Sequence, residues 1–368
     1  MRAAHETHGR LRVLHVLGEL RASGAETMLK GSLPVMAAAG VEVSVLSTGN
    51  DVGEFGSVLE DLGVQVHHLP FRARPLFLLQ LVKLARKHDV VHLHTERASF
   101  WLGASMRAAS VPVIRTVHNT FLFTGKLKMV RGAQRRALRR LGVTFVAIGR
   151  DVADNERDRF GVSTVLVPNW AESRYFDNRE RSPDGRHPLI VSVGNCGSLK
   201  NHDSLIRALA SLHAKGLPFR YRHLGSQADA VLDEGALAQE LGCADAVDFV
   251  GVADPLQHLQ EATAFVMPSK CEGLGIAALE ALAAGVPTLL TDVPGLREFS
   301  EVPGIWWSSP TTDGLATAIE AMLAASDVER EGRAAAGADH VKALFSPEAS
   351  MARLVELYRA SVPRQALR

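Results

Sequence analysis

Cysteine is scarce in this chain of 368 residues: Cys196, Cys243 and Cys271 are its only three. An odd number of widely spaced cysteines offers neither a disulfide framework nor zinc-site spacing, so they read as small core or site-edge residues of an intracellular protein. A charge excess of either sign is missing too, since 41 Lys and Arg against 40 Asp and Glu leave a net charge of +1. Nucleic-acid binders carry a strong basic excess, so that partner class is excluded, and any charge-driven partner must be met by a local patch. No apolar run approaches the ~18 residues of a membrane span, and the opening MRAAHETHG lacks the apolar heart of a signal peptide. Cytoplasmic location is the expectation. Low-complexity tracts and short-period repeats are absent, as is any Asp-x-Asp pair of the kind that holds magnesium or manganese. The turn Gly194-Asn195-Cys196-Gly197 is not followed by Gly-Lys-Ser/Thr, so it is no Walker loop.

What is present is length and alternation. The chain is long for one domain and comfortable for two, and 46% apolar residues give each half material for a core. Strand-like runs at 12–17, 41–47, 64–69, 90–94, 112–117 and 143–148 alternate with helical patterns at 25–39, 55–62, 76–87, 98–109 and 126–141. The polar, Pro- and Gly-bearing stretch 170–188 interrupts this, and the alternation restarts with strands at 189–193, 219–224, 246–250, 264–267 and 288–290, ending in helices. Such alternation predicts βαβ units and two parallel, doubly wound sheets. The expected division is a tail at 1–10, an N-terminal Rossmann-like domain at 11–172, a linker at 173–187, a C-terminal one at 188–345, and a helix at 346–368 returning to the N-terminal domain. Ligands of open α/β sheets sit outside the carboxyl ends of the strands, and Gly24, His118, Asn195 and Glu272 all follow expected strands.

The densest chemistry lies in residues 268–287, PSKCEGLGIAALEALAAGVP. Glu272 and Glu280 flank a loop that runs into a helix, and Gly273 and Gly275 allow close approach to the backbone. The amides of Leu274, Gly275 and Ile276 then form an anion site at a helix N-terminus. A carboxylate before the loop suits sugar hydroxyls; one two turns into the helix suits a ribose diol. The plainer alternative is a capped amphipathic helix with two solvated glutamates.

This segment resembles the E-x7-E signature of retaining GT-B glycosyltransferases, most closely glycosyltransferase family 4 (group 1). Further landmarks match in order: SGAE at 23–26, RTVHN at 115–119, VSVGNCGSLKN at 191–201, DFVG at 248–251 and TDVPGLRE at 291–298. The resemblance implies a GT-B fold, two Rossmann-like domains facing across a cleft. It implies a catalytic group of His118, Glu272 and Lys200. Glu272 would contact donor sugar hydroxyls, Glu280 the ribose, and His118 the anomeric centre. Lys200 with the amides of Leu274, Gly275 and Ile276 would hold the diphosphate, Gly24 would close on it, and Asn195 and Gly273 complete the donor-binding set. The family commonly has arginine where this chain has Asn195, so one of two diphosphate cations is missing here; it also commonly has glycine where this chain has Ser23, a milder change because Gly24 is retained. The implied reaction is hexosyl transfer with retention from a nucleoside diphosphate sugar, UDP-sugar ahead of GDP-mannose, in glycan, glycolipid or glycosylated-metabolite synthesis. No metal or other cofactor is expected; the leaving phosphate itself would help deprotonate a sugar, lipid-linked or small-molecule acceptor on the same face.

Rival readings stay open. His118 could be a structural histidine, and Lys200 a solvated one at a helix start. His92 and His94 alternate in HLHTE with spacing that would suit a metal, but no third ligand is evident, and hydrogen bonding explains them better. The basic segment from Lys126 to Arg140 reads as an amphipathic helix with Leu127, Val130, Leu138 and Leu141 toward the core and Lys128, Arg131, Arg135, Arg136 and Arg139 outward. It would either be a solvated face or meet an anionic membrane as a peripheral contact at the inner leaflet. Trp306 and Trp307 are expected to pack in the C-terminal domain. Among functions, a UDP-sugar epimerase of similar shape and a non-catalytic sugar-nucleotide sensor remain alternatives, whereas a pyridoxal-phosphate phosphorylase would need a much longer chain.

Overall fold

The computed structural model describes residues 10–21, 24–71, 75–182, 187–226 and 233–362. Ser23, part of the SGAE landmark, lies outside them. The chain divides into two compact units, Met1–Asn169 with Pro347–Arg368, and Trp170–Ser346.

The first unit holds β1 (Leu11–Leu17), α1 (Gly24–Ala38), β2 (Val41–Ser47), α2 (Phe55–Asp61), β3 (Gln65–His68), α3 (Pro75–Ala85), β4 (Val90–Leu93), α4 (Ser99–Ala108), β5 (Val113–Val117), α5 (Gly125–Arg140), β6 (Thr144–Ala147), α6 (Arg150–Phe160) and β7 (Val165–Leu166). The second holds α7 (Ser173–Asp177), β8 (Leu189–Val193), α8 (His202–Ala214), β9 (Arg220–Leu224), α9 (Glu234–Glu240), β10 (Val247–Gly251), α10 (Pro255–Glu261), β11 (Ala264–Met267), α11 (Ile276–Ala283), β12 (Thr288–Thr291), β13 (Trp306–Ser308), α12 (Thr312–Ala324) and α13 (Asp327–Phe345). The last helix, α14 (Pro347–Ser361), belongs to the first unit. It packs on α1, Arg359 donates to the Ala39 carbonyl, and the buried Tyr358 hydroxyl meets His92 of β4.

Both sheets are parallel, with strand orders β3-β2-β1-β4-β5-β6-β7 and β10-β9-β8-β11-β12-β13. Each reverses direction once, between β1 and β4 and between β8 and β11. Ligands of doubly wound sheets gather at such switch points. Central strands read as near-continuous apolar runs because helices cover both faces. β4 and β11 are buried at every position. In the second unit Leu205, Leu209 and Leu212 of α8 pack with Tyr221 of β9, Val266 of β11 and Ile319 of α12 in one core.

Four expectations change. α6 and β7 extend the first unit where no element was expected: RDVADNERDRF is mostly charged, and only Val152, Glu156 and Phe160 are buried along it. The expected linker at 173–187 opens instead with α7, whose Tyr175 and Phe176 are buried within the second unit. The tryptophan pair packs in the second unit as expected, with Trp306 in its core, but it forms β13 where only helices were expected, and the Arg333 guanidinium lies 3.8 Å from the Trp306 ring centre. The fourth concerns α5. Arg135 does not face solvent: it is buried against Glu156 (2.9 Å) and Glu96 (3.1 Å), 4.5 Å from the Phe160 ring centre. Leu138 is buried as expected, but Leu127, Val130 and Leu141 are exposed together with Met129. The charged network of Glu96, Arg115, Arg135 and Glu156 outcompetes the apolar stripe for the inner face, because a buried carboxylate must be paired.

Candidate active site

The loop after β11 and the turn after β8 converge at the second switch point. Lys200 Nζ donates to Glu272 Oε1 at 2.7 Å, and the Ser269 hydroxyl donates to the same oxygen at 2.6 Å. Asn201 builds this meeting. It sits in the left-handed region (φ 61°), is buried, and its amide donates to the carbonyls of Pro268 (2.8 Å) and Pro310 (3.0 Å). The Lys270 amide returns a bond to the Leu199 carbonyl at 2.8 Å. The lysine turn and the glutamate loop are thus stitched by backbone and side-chain bonds before any ligand arrives.

Gly275 is the N-cap of α11 at φ 84°, and a Cβ there would lie 2.6 Å from Leu296. Gly295 approaches even closer: at φ 86°, a Cβ would sit 2.2 Å from the Glu272 carbonyl oxygen. Because the N-cap has no side chain to bond the first turn, the leading amides of α11 keep their donor role for a ligand. Leu274 is buried and anchors the loop, while Gly273 and Ile276 are partly exposed beside it.

Glu280 lies on the inward side of α11 and is buried, 6% exposed. Burial first, and then the nearby Glu172 carboxylate, push its carboxyl up to about 8; Arg174 and the Tyr175 hydroxyl oppose this. Near neutrality it is therefore mostly protonated, able to donate as well as accept. Arg174, just before Tyr175, is shared between Glu172 (3.0 Å) and Asp254. Asn195 is exposed, but its side-chain oxygen accepts the Ser226 amide at 2.9 Å, which ties the turn after β8 to the turn after β9. Lys200 and Glu272 are thus brought together directly, while Glu280 is turned toward α7.

Gly24 and His118 belong to the first unit. Gly24 is the exposed first residue of α1. His118 closes a relay of histidines: His15 Nδ1 lies 2.9 Å from His94 Nε2, and His94 Nδ1 lies 2.8 Å from His118 Nε2. His92 is held separately, by the Tyr358 hydroxyl and the Thr116 hydroxyl, both at 2.6 Å. Sequence reasoning missed this cluster, and above all His15, the third partner for HLHTE; its signal was the shared place of His15 and His92 on adjacent strands. Although His15, His92 and His94 bring ligand atoms within 4.8 Å, both nitrogens of His92 and of His94 already have hydrogen-bond partners. Burial lowers His15 to about 3 and His118 to about 4, the latter helped by Arg115, and it lowers His94 as well. The three relay rings are neutral, with one N–H each. His15 Nε2 is buried without a partner. A bare lone pair there costs less than an orphaned N–H, so His15 donates to His94 and His94 to His118. His118 then carries its own proton on Nδ1.

The fold is of the GT-B type, two parallel doubly wound α/β units. The family description "Glycosyl transferases group 1" matches residues 174–338, and "Glycosyltransferase Family 4" matches residues 22–173. The chain belongs to the group 1, family 4 type of glycosyltransferases. It is 29% identical over 315 residues to a D-inositol 3-phosphate glycosyltransferase of Geodermatophilus obscurus, covering 76% of this chain and 68% of that one. It is 25% identical over 300 residues to a glycogen synthase of Mycobacterium tuberculosis, covering 76% and 72%. The fold is shared with a glycosyltransferase of Rickettsia africae (TM-score 0.80, 17% identity, 96% and 98% coverage). It is shared as well with HepE of Anabaena, solved in complex with UDP and glucose (TM-score 0.77, 16% identity, 95% and 100% coverage).

Proposed function

We propose that this glycosyltransferase moves a hexosyl group, with retention and without a divalent metal in the transfer step, from a nucleoside diphosphate sugar to a sugar, lipid-linked or small-molecule acceptor. UDP-sugar is the favoured donor and GDP-mannose the alternative. The observation that carries this is the Lys200–Glu272 pair, fixed beside the leading amides of α11 with buried Glu280 behind it. A diphosphate entering there meets the amides and draws on the Lys200 ammonium, which frees Glu272 to accept from sugar hydroxyls. Charge builds on the leaving phosphate as the C1–oxygen bond stretches, and fixed donors aimed at that charge lower the barrier. Glu280 takes the ribose hydroxyls. On the acceptor side, His118 is a neutral N–H donor rather than an imidazolium. The leaving phosphate takes the acceptor proton on the face it departs from, which gives retention. UDP in the HepE complex supports the choice of donor class.

Peripheral membrane contact uses a different face of α5 from the one its periodicity suggested. Leu127, Met129 and Val130 are exposed near Lys126. That combination of apolar tips and a cation suits an anionic bilayer surface at the cytoplasmic side. Among the described residues, no helix is long and apolar enough to cross a membrane.

The test is a thermal-shift panel of UDP- and GDP-sugars, followed by incubation of the stabilising donor, radiolabelled, without acceptor. Stabilisation with slow hydrolysis supports the transferase. Conversion to an epimeric sugar would support an epimerase, and binding with neither outcome would support a sensor.

A further inference from the structure

Beneath the turn that carries Asn195 and Lys200 lies a group of side chains that the transfer chemistry does not use. Cys196 sits in that turn, His202 opens α8, His223 lies in β9 and Glu234 opens α9. All four are buried, and one ligand-type atom from each lies within 4.8 Å of all the others. We propose that Cys196, His202, His223 and Glu234 form a structural binding site for a zinc-class divalent metal ion.

Hydrogen-bond bookkeeping carries the argument. His223 Nε2 is 2.8 Å from the Gly194 carbonyl oxygen, and a carbonyl only accepts, so the proton is on Nε2. His223 Nδ1 is 2.8 Å from Glu234 Oε2. A neutral imidazole has no second N–H to give an ionised carboxylate. His202 Nδ1 is 3.3 Å from Glu234 Oε1, is buried, and has no hydrogen-bond partner. With the His223 proton on Nε2, the short contact between His223 Nδ1 and Glu234 requires either an extra proton, on the carboxyl or on the imidazole, or a cation between them. A cation at the centre resolves this, because both Nδ1 lone pairs, a thiolate and a carboxylate oxygen then point at it. His223 keeps donating Nε2–H to the Gly194 carbonyl, the outer-shell bond that orients a metal-bound histidine.

The donor set suits zinc: one sulfur, two imidazoles and one carboxylate make a closed tetrahedral site. Ligand atoms around tetrahedral zinc lie roughly 3.3–3.8 Å apart, so separations of up to 4.8 Å need to close by at most roughly 1–1.5 Å. Charge also balances, since thiolate and carboxylate cancel the dication in a place where net charge is costly. On binding, Cys196 gives its thiol proton to solvent and no electrons are transferred. With no open position, the ion holds the Gly194–Gly197 turn and takes no part in transfer. The ligands come from four separate elements, which is why cysteine spacing alone showed no site.

Metal content and ligation, rather than turnover, decide the matter. The protein purified without metal-affinity steps and dialysed is analysed by mass spectrometry, with about one zinc per chain expected. Cobalt exchanged into the site should give a thiolate-to-cobalt charge-transfer band and tetrahedral visible bands. Cys196→Ser should abolish the charge-transfer band, and Cys271→Ser should keep it. Should Cys196→Ser fail to fold, peptide mapping of alkylated wild-type protein serves instead: zinc should shield Cys196 from alkylation and leave Cys271 reactive. No saturable zinc or cobalt binding, a cobalt spectrum unchanged by Cys196→Ser, or equal Cys196 alkylation with and without zinc would overturn the proposal.

Discussion

Replacing Glu280 by Gln should strengthen the second unit at alkaline pH while weakening its grip on nucleotide. Glu280 is buried, and its carboxyl is raised from 4.5 to about 8, first by burial and then by Glu172. For a group raised on folding, the associated stability is fully present below the unfolded value and is lost as pH rises through the folded value. Each tenfold change in proton affinity is worth about 1.4 kcal/mol, so the full loss is on the order of 4–5 kcal/mol above pH 8. Part of it has already occurred at pH 6, where the unfolded chain is ionised and the folded one is not. Between pH 6 and pH 9 the wild type should lose about 2–3 kcal/mol from this residue. The Gln variant should lose none of that, because its amide does not titrate and remains close in shape to the protonated acid. Urea unfolding at both pH values, followed by tryptophan fluorescence, reads this out; Trp170, Trp306 and Trp307 belong to the second unit and Trp101 to the first. The same variant should bind free UDP or GDP at least about tenfold more weakly, a loss of about 1.4 kcal/mol or more. Glu272→Gln should instead lower turnover, because contacts to the reacting sugar tighten as charge develops. A stability difference between Glu280→Gln and wild type that is the same at both pH values would refute the burial argument. Wild-type nucleotide affinity in Glu280→Gln would refute the ribose assignment.

Lys200→Ala should cut turnover by roughly two orders of magnitude or more, since charge-assisted bonds are worth about 1.5–3 kcal/mol each and the variant also leaves Glu272 without its ammonium partner. Asn195→Ala should cost much less, chiefly through the lost bond to the Ser226 amide; near-wild-type steady-state rates for Lys200→Ala would point to another cation. Magnesium or manganese added to chelator-treated enzyme should change the transfer rate by less than about twofold if amides and Lys200 neutralise the leaving group; strict dependence on either ion would sink that reading. Liposome sedimentation should fall on changing Leu127 and Met129 to Ser and Lys126 to Gln, with strong salt sensitivity in the wild type. Arg135→Ala should instead destabilise the first unit by about 3–5 kcal/mol in denaturation, because it strands buried Glu156.

Much of the architecture is local information, and local information is legible in a sequence. Apolar strands such as LIVSV and AFVM announce themselves by composition, and the Pro268–Pro287 segment announces its loop and helix by glycine placement. Where the local signal was faint, reading failed: α6 is nearly all charged, and β7 has two residues. The face of α5 was misread for a related reason. Periodicity counts apolar positions, whereas Arg135 is inside because Glu96 and Glu156, distant in the chain, arrive there to pair with it. Candidate residues Glu272, Glu280 and Lys200 could be named from motif and register alone, but their states could not. That Lys200 is already held by Glu272, and that Glu280 is driven toward protonation by burial and then by Glu172 and Asp254, depends on surroundings assembled by folding. The relay behind His118 and the gathering of Cys196, His202, His223 and Glu234 have no sequence period at all. Side chains from separate strands and helix ends meet there because the parallel order of each sheet lays β1 beside β4 and β8 beside β9. Proton positions and ion sites follow from such meetings and from the low dielectric around them, which only the tertiary structure supplies.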